Sequence, residues 1–392
     1  MRLVHLVTHP MTARLLLRGR LRHLTAAGFD VVLVTSPGPD LEGLAEAEGV
    51  EVVTLPMARE VAPLCDVLAL LRLAALLRRL RPDVVDAATP KAGLLGMLAA
   101  RLARVPVRIY TLRGLRLETA TGVKRRILSG AERLACSSAH RVLCVSESLR
   151  RRAIELGLVP EAKAVVPGAG SSNGVDVERF EAAAADRDRV RALRAELGLP
   201  EGAPVIGFVG RFTRDKGIAE LVAAFDRVGE ELPEARLLLL GDFEEGDPVP
   251  PEISRRLRTD PRVVLAGFVP DTAPYYPLMD VLALPSFREG FPNAPLEAAA
   301  AGVPTVGSRA TGVVDAVLDG ETGSLVPVGD AEALAEALLG YLGDAGLRRR
   351  HGAAARARAQ RQFRREEVWA AWEEAMRGIA SEIGASARSE RE

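Results

Sequence analysis

Two acidic residues, Glu289 and Glu297, close a segment that reads Glu289-Gly-Phe-Pro-Asn-Ala-Pro-Leu-Glu297. The apolar run Asp280-Val-Leu-Ala-Leu-Pro285 before it predicts a buried strand, and Leu296-Glu-Ala-Ala-Ala-Ala-Gly302 predicts a short helix after it. Glu289 then lies on a loop at the strand's carboxyl end, with Glu297 in the first turn of the helix. Open α/β sheets bind ligands at that edge. A helix N-terminus there offers free backbone N–H groups to a phosphate, and a carboxylate beside it can accept two hydroxyl donors at once. Amides for a diphosphate and carboxylates for sugar hydroxyls together describe a nucleotide-sugar site. An acid near a helix start is also favoured by the macrodipole alone, so the weight falls on a second motif.

That motif is Val205-Ile-Gly-Phe-Val-Gly210-Arg211-Phe-Thr-Arg-Asp-Lys216-Gly217, followed by the helical Ile-Ala-Glu-Leu-Val-Ala-Ala-Phe. A strand, a glycine and two cations on one loop suit a diphosphate whose charge grows as its bond to a sugar breaks. Arg211 supplies a fixed fork and Lys216 a mobile point charge. The spacing does not fit a Walker A loop. Gly168-Ala-Gly170-Ser-Ser-Asn-Gly174 is no dinucleotide fingerprint either, because its third glycine is one place late and no helix pattern follows.

Taken together, the C-terminal half resembles the retaining GT-B glycosyltransferases of family 4 (group 1), which carry Gly-Arg-x-x-x-x-Lys-Gly and Glu-x7-Glu in this order. The N-terminal half is similar to the subgroup acting in capsule, exopolysaccharide and lipid-linked glycan assembly. The residues carrying that likeness are Thr89-Pro-Lys-Ala-Gly, Val107-Arg-Ile-Tyr-Thr-Leu-Arg-Gly, Thr121-Gly-Val-Lys-Arg-Arg and Val142-Leu-Cys-Val-Ser-Glu-Ser-Leu.

The resemblance implies an enzyme moving a hexose or N-acetylhexosamine from a nucleotide-diphosphate sugar, with UDP favoured, to a lipid-linked or small saccharide. No metal or cofactor is implied. Arg211, Lys216 and Glu289 would carry the chemistry. Gly210, Phe268, Val269, Gly290, Phe291, Pro292, Asn293 and Glu297 would bind the donor, Glu297 at the ribose. Many relatives place a His-Gly pair at the reaction centre, where this chain reads Leu112-Arg113-Gly114. Arginine is no base, so Arg113 points instead to an acceptor carrying phosphate, the alternative being a loop arginine paired with Glu118. His9 and Lys91, at predicted strand ends, complete the candidate acceptor residues. A nucleotide-sugar epimerase would need cleft acid–base groups, for which five histidines leave little. A soluble small-molecule acceptor stays open as an alternative to a polyprenyl-diphosphate one.

The elements that must position these residues alternate strand and helix, which implies α/β architecture with parallel sheets covered on both faces. Strands are expected at Leu3–Val7, Val31–Thr35, Val52–Leu55, Val84–Val85, Val107–Thr111, Val142–Val145, Ala164–Val166, and, after a charged connector near Glu181–Asp188, from Val205 onward, including Val263–Val269. The simplest account is two doubly wound Rossmann-like domains facing a central cleft. Residues 1–178 would form the acceptor-binding domain and 179–362 the nucleotide-sugar domain, with a last helix, 363–392, packing back on the first.

At 392 residues and 48% hydrophobic, the chain is long enough for two cores. Its 52 basic and 52 acidic residues create no global field toward nucleic acid. Cys65, Cys136 and Cys144 fit no zinc spacing and read as core residues of a reduced, cytoplasmic protein. The N-terminus carries no signal-peptide pattern. Arg14, Arg18, Arg20, Arg22 and His23 on a first helix, Arg78, Arg79 and Arg81, and Lys124-Arg-Arg126 suggest peripheral contact with the cytoplasmic membrane face.

Overall fold

The computed structural model describes residues 1–58, 62–244 and 246–389. The chain divides into two units, Met1–Asn173 with Glu366–Glu392, and Gly174–Arg365.

The first unit holds seven parallel strands: β1 (Arg2–Leu6), β2 (Asp30–Thr35), β3 (Glu51–Thr54), β4 (Val84–Ala88), β5 (Val107–Leu112), β6 (Arg141–Cys144) and β7 (Ala164–Val165). Their order is β3-β2-β1-β4-β5-β6-β7, so the winding reverses between β1 and β4. The middle strands are Val/Leu-rich and buried on both faces, as a parallel sheet requires. Helices Pro63–Leu80, Pro90–Leu102 and Gly122–Ser138 pack side by side. Two of these helices open on proline, which is pre-shaped for a first turn. The helix Arg365–Ser389 docks on this unit through Trp372, whose Nε1 donates to the Ser171 carbonyl at 2.7 Å.

The second unit holds six parallel strands: β8 (Val205–Val209), β9 (Arg236–Leu240), β10 (Val263–Gly267), β11 (Val281–Leu284), β12 (Thr305–Ser308) and β13 (Gly323–Val326). Their order is β10-β9-β8-β11-β12-β13, with the reversal between β8 and β11. Alternate residues feed two cores. Ile206, Phe208, Leu237, Leu239, Val281 and Ala283 face one layer of helices. Val205, Leu238, Leu240 and Leu282 face the other, with Leu296 and Phe363. Each Val, Leu, Ile or Phe among them contributes about 1.5–3 kcal/mol by leaving water.

Several expectations need correction. The charged connector is two helices, Val177–Ala185 and Arg187–Glu196, because Asp176 and Asp186 each cap a helix start and outweigh the mixed charge pattern. The basic first helix is two helices, Pro10–Leu16 and Arg20–Ala26, and Arg20 is buried rather than solvated. Cys136 and Cys144 are buried, but Cys65 is exposed on the outward side of its helix. Strand β10 stops at Gly267, whose φ of +70° turns the chain out of extended geometry, so Phe268 and Val269 lie on a loop.

Candidate functional site

In the second unit, the two motifs meet where the winding reverses. Strands β8 and β11 pair directly, so the loop after β8 and the loop after β11 stand side by side at the sheet's carboxyl edge. This is the switch point at which doubly wound sheets form a crevice. The loop after β8 carries Gly210, Arg211 and Lys216; the loop after β11 carries Glu289 and Gly290.

Gly217 locks the first loop against the second. Its φ is +71°, and a Cβ there would stand 2.1 Å from the Pro285 carbonyl oxygen, so only glycine fits. A backbone bond from Phe287 N to Asp215 O, 2.8 Å, joins the same loops. Lys216 thereby reaches Glu289: its Nζ lies 2.5 Å from Oε1, and both side chains are largely buried. Ser286 Oγ donates to the same oxygen at 2.9 Å, and Glu289 N donates to the Thr311 carbonyl at 3.0 Å. Arg211 stays more than half exposed and pairs with Glu244. Arg288 pairs with Asp215 at 2.5 Å, and Thr213 Oγ1 donates to Asp215 at 2.6 Å. That hydrogen bond and the Arg288 charge hold the Asp215 carboxyl below its ordinary range, against the opposing effect of burial.

The helix after β11 spans Asn293–Ala301, starting three residues before the expected Leu296. Glu297 is therefore its fifth residue, not part of its first turn. The Ala-Pro pair resembles loop in the sequence, yet proline is tolerated in an opening turn, where its missing N–H has no helical partner. Pro292 precedes the helix, and Phe291 packs against Phe363 with ring centroids 5.3 Å apart. Glu297 Oε2 accepts from Thr272 Oγ1 at 3.0 Å and from Tyr276 OH at 2.8 Å. Burial pushes its carboxyl pKa up, with the Tyr276 and Thr272 hydrogen bonds opposing. Thr272 and Tyr276 were missed in the sequence, because nothing in their local pattern marks them as partners of Glu297. Phe268 is exposed on the loop after β10, with Val269 half-buried beside it.

The acceptor candidates all lie in the first unit. His9 is exposed and caps the helix Pro10–Leu16, its Nδ1 accepting from Met11 N at 3.2 Å. Lys91 Nζ sits 2.8 Å from Asp66 Oδ1, and Ala92 N of its helix donates to Thr8 Oγ1 at 3.1 Å. Arg113 is half-buried just beyond β5 and donates from Nη1 to Ser172 Oγ at 2.6 Å. Burial lowers its pKa to about 9, the neighbouring Arg20 adding to the fall and Asp86 opposing it. At neutral pH it remains a cation.

Residues 203–344 match the family described as Glycosyl transferases group 1, and residues 14–170 match the Glycosyl transferase 4-like domain. The chain is 36% identical over 368 residues to the capsular polysaccharide biosynthesis glycosyltransferase CapM of Staphylococcus aureus, covering 94% of each chain. It is 27% identical over 316 residues to the UDP-Gal:alpha-D-GlcNAc-diphosphoundecaprenol alpha-1,3-galactosyltransferase of Escherichia coli, covering 79% of each. Among solved structures, that of Anabaena Alr3699/HepE in complex with UDP and glucose shares the fold, with a TM-score of 0.79 at 20% identity over 96% of this chain and 99% of that one. With whole-length kinship above a third identity joined to two doubly wound parallel sheets, the chain belongs to the group 1, family 4 glycosyltransferases of GT-B fold and is a glycosyltransferase related to those of surface-polysaccharide assembly.

Proposed function

We propose that this glycosyltransferase moves a hexose or N-acetylhexosamine, with retention of configuration, from a UDP-sugar to a saccharide borne on a polyprenyl diphosphate. The observation that carries the donor assignment is the Lys216–Glu289 pair, held at the switch point of the second unit. The donor would bind in that unit and the acceptor in the first. Arg211 and Lys216 face the diphosphate, and Glu289 the hydroxyls of the transferred sugar. The backbone from Gly290 to Asn293 lies along sugar and phosphate, and Glu297 accepts the ribose hydroxyls. Gly210 lets the loop after β8 approach, and Phe268 and Val269 border the base.

The bond from the anomeric carbon to the diphosphate oxygen breaks as the acceptor oxygen forms its own bond to that carbon on the same face. The departing phosphate takes the acceptor's proton. Lys216 and Arg211 balance the charge that develops on the leaving group.

UDP is favoured by two likenesses: the relative from Escherichia coli is named for UDP-Gal and a diphosphoundecaprenol acceptor, and the HepE complex holds UDP and glucose. No helix of the described residues is long and apolar enough to cross a membrane. A lipid-borne acceptor is supported instead by unpartnered apolar stripes. Leu64, Val67, Leu68 and Leu71 are exposed along one side of helix Pro63–Leu80. Val123, Ile127 and Leu134 are exposed along helix Gly122–Ser138, with exposed Lys124, Arg125 and Arg126 between them.

Calorimetric titration with UDP, GDP and ADP in the absence of divalent metal tests the donor reading. Micromolar binding of UDP, weakened in Lys216→Ala, is expected; binding of none of the three would remove it. Release of UDP only on addition of acceptor separates transfer from an epimerase reaction.

A further inference from the structure

Below the switch point of the first unit lies a buried ionic cluster that the donor chemistry does not use. His5 on β1 and Asp86 on β4 are Cα partners across the β1–β4 reversal, and His5 Nδ1 lies 3.0 Å from Asp86 Oδ2. Asp86 is in register with Ile109 of β5, so Thr111 and Arg113 fall on its face of the sheet. Thr111 Oγ1 donates to Asp86 Oδ1 at 2.6 Å. Arg20 enters from the start of helix Arg20–Ala26, only 1% exposed, its guanidinium 4.6 Å over the Trp372 ring. Its nearest carboxylate contact is Nη2 to Asp86 Oδ2, at 3.9 Å.

Two features set this cluster apart from an ordinary buried ion pair. Among the described residues, none of the three Arg20 nitrogens has a hydrogen-bond acceptor, and neither do Nε and Nη2 of Arg113. Buried donors of this kind are rare in folded proteins, and those of a cation are the costliest to leave unmet. The charges also do not balance. Arg20 and Arg113 are both cations, Asp86 is the one carboxylate seen against the cluster among the described residues, and burial keeps His5 neutral. Two cations thus meet one carboxylate inside the unit, and Arg113 stands just past the carboxyl end of β5, at the edge where open α/β sheets take their ligands.

We infer that Arg20 and Arg113 form a phosphoryl-binding pocket beneath the β1–β4 switch point, braced by Asp86 and His5. Guanidinium forks match phosphate oxygens in geometry and charge, and one phosphoryl group would meet the free donors and the surplus charge together. Asp86 and His5 are positioning residues, since Asp86 fixes the height of Arg20 against the Trp372 ring. The inference rests on the reading of an acceptor that carries diphosphate, and it assigns where that diphosphate is held. Free inorganic phosphate has the same chemistry and could fill the pocket from solution.

The test uses the full chain with Arg211→Ala and Lys216→Ala, which silences the other candidate phosphate locus. This protein is titrated with inorganic pyrophosphate and with citronellyl diphosphate, a short polyprenyl ester. Both are expected to bind, and Arg113→Gln should weaken them at least about tenfold, the scale for losing a charged hydrogen bond. Arg113→Lys, which keeps the charge but not the fork, should fall between. Arg20→Gln should act in the same direction. Because it alters a buried residue, the half-buried Arg113 pair decides the matter if Arg20→Gln fails to fold. Tighter binding of the ester than of pyrophosphate assigns the pocket to the acceptor; equal binding assigns it to free phosphate. Absence of binding, or binding equal in Arg113→Gln, overturns the pocket. UDP titration of the unmodified protein reads the donor site separately, so a chain that binds UDP but no diphosphate here loses this inference alone.

Discussion

At the scale of single residues, the proposed chemistry depends on charges that pair within the chain. Lys216 and Arg211 each face a carboxylate, Glu289 and Glu244, so a diphosphate must draw both cations toward itself. The two carboxylates keep the cations placed without holding them irreversibly, since Arg211 is largely in solvent. Removing a donor of transition-state charge costs about a hundredfold or more in turnover. Lys216→Ala and Arg211→Ala are each expected to show that loss in kcat, with near-normal kcat in both excluding the role. Glu297 behaves differently, because burial raises its pKa and protonation turns one of its two acceptor oxygens into a donor. As pH falls through that raised value, the carboxylate takes up a proton and loses acceptor capacity. UDP affinity should therefore weaken on acidification before ordinary carboxylates titrate, and Glu297→Gln should bind UDP weakly with a flatter pH profile. A Gln variant with unaltered affinity would remove Glu297 from the ribose.

At the scale of elements, the candidate site is made by two loops joined by a backbone hydrogen bond and a close glycine contact. Gly217 sits under the Pro285 carbonyl in left-handed geometry, and its helix, Ile218–Glu231, begins at once behind it. Gly217→Ala must displace one loop or strain its backbone, at about 1–3 kcal/mol. Urea unfolding should show that loss, accompanied by a fall in kcat as Lys216 shifts away from Glu289; a variant equal to the parent in both would show that the contact is not needed. This pairing was legible in the sequence only in part. Glycine-cation spacing and the two apolar runs place both loops at strand ends, because strand periodicity and turn residues are local properties. Which loops adjoin is set by strand order, and a one-dimensional pattern does not encode that β8 neighbours β11. The same limit hid Thr272 and Tyr276 from Glu297, and Asp86 from Arg20. Arg20 resembled its exposed neighbours Arg14 and Arg18, since its burial comes from Trp372, more than three hundred residues away along the chain. Asp176 and Asp186 misled for the opposite reason: their capping role is local, but the charges around them matched a linker.

At the scale of the whole molecule, equal numbers of acidic and basic residues leave no net charge to draw the chain to an anionic surface. Any such attraction must come from local arrangement. Of the large apolar side chains exposed among the described residues, all but Phe268 and Val328 belong to the first unit. The helix Pro63–Leu80 has two apolar sides, one buried through Leu73, Leu77 and Leu80 and one in solvent through Leu64, Val67, Leu68 and Leu71. A surface helix that only covers a sheet needs one apolar side. The outer stripe, with the Lys124-Arg125-Arg126 run on helix Gly122–Ser138, has the composition that lies in a headgroup layer. The protein should therefore co-sediment with phosphatidylcholine vesicles containing phosphatidylglycerol, more weakly with phosphatidylcholine alone, and less as salt rises. Leu68→Ser combined with Ile127→Ser removes two exposed apolar contacts and should lower partitioning at least about tenfold, the scale set by burying such side chains. Both positions are exposed, so folding and UDP affinity should be unchanged in this variant. Equal sedimentation of parent and variant, or none by the parent on anionic vesicles, would assign these stripes to something other than a bilayer and leave the donor chemistry as it stands.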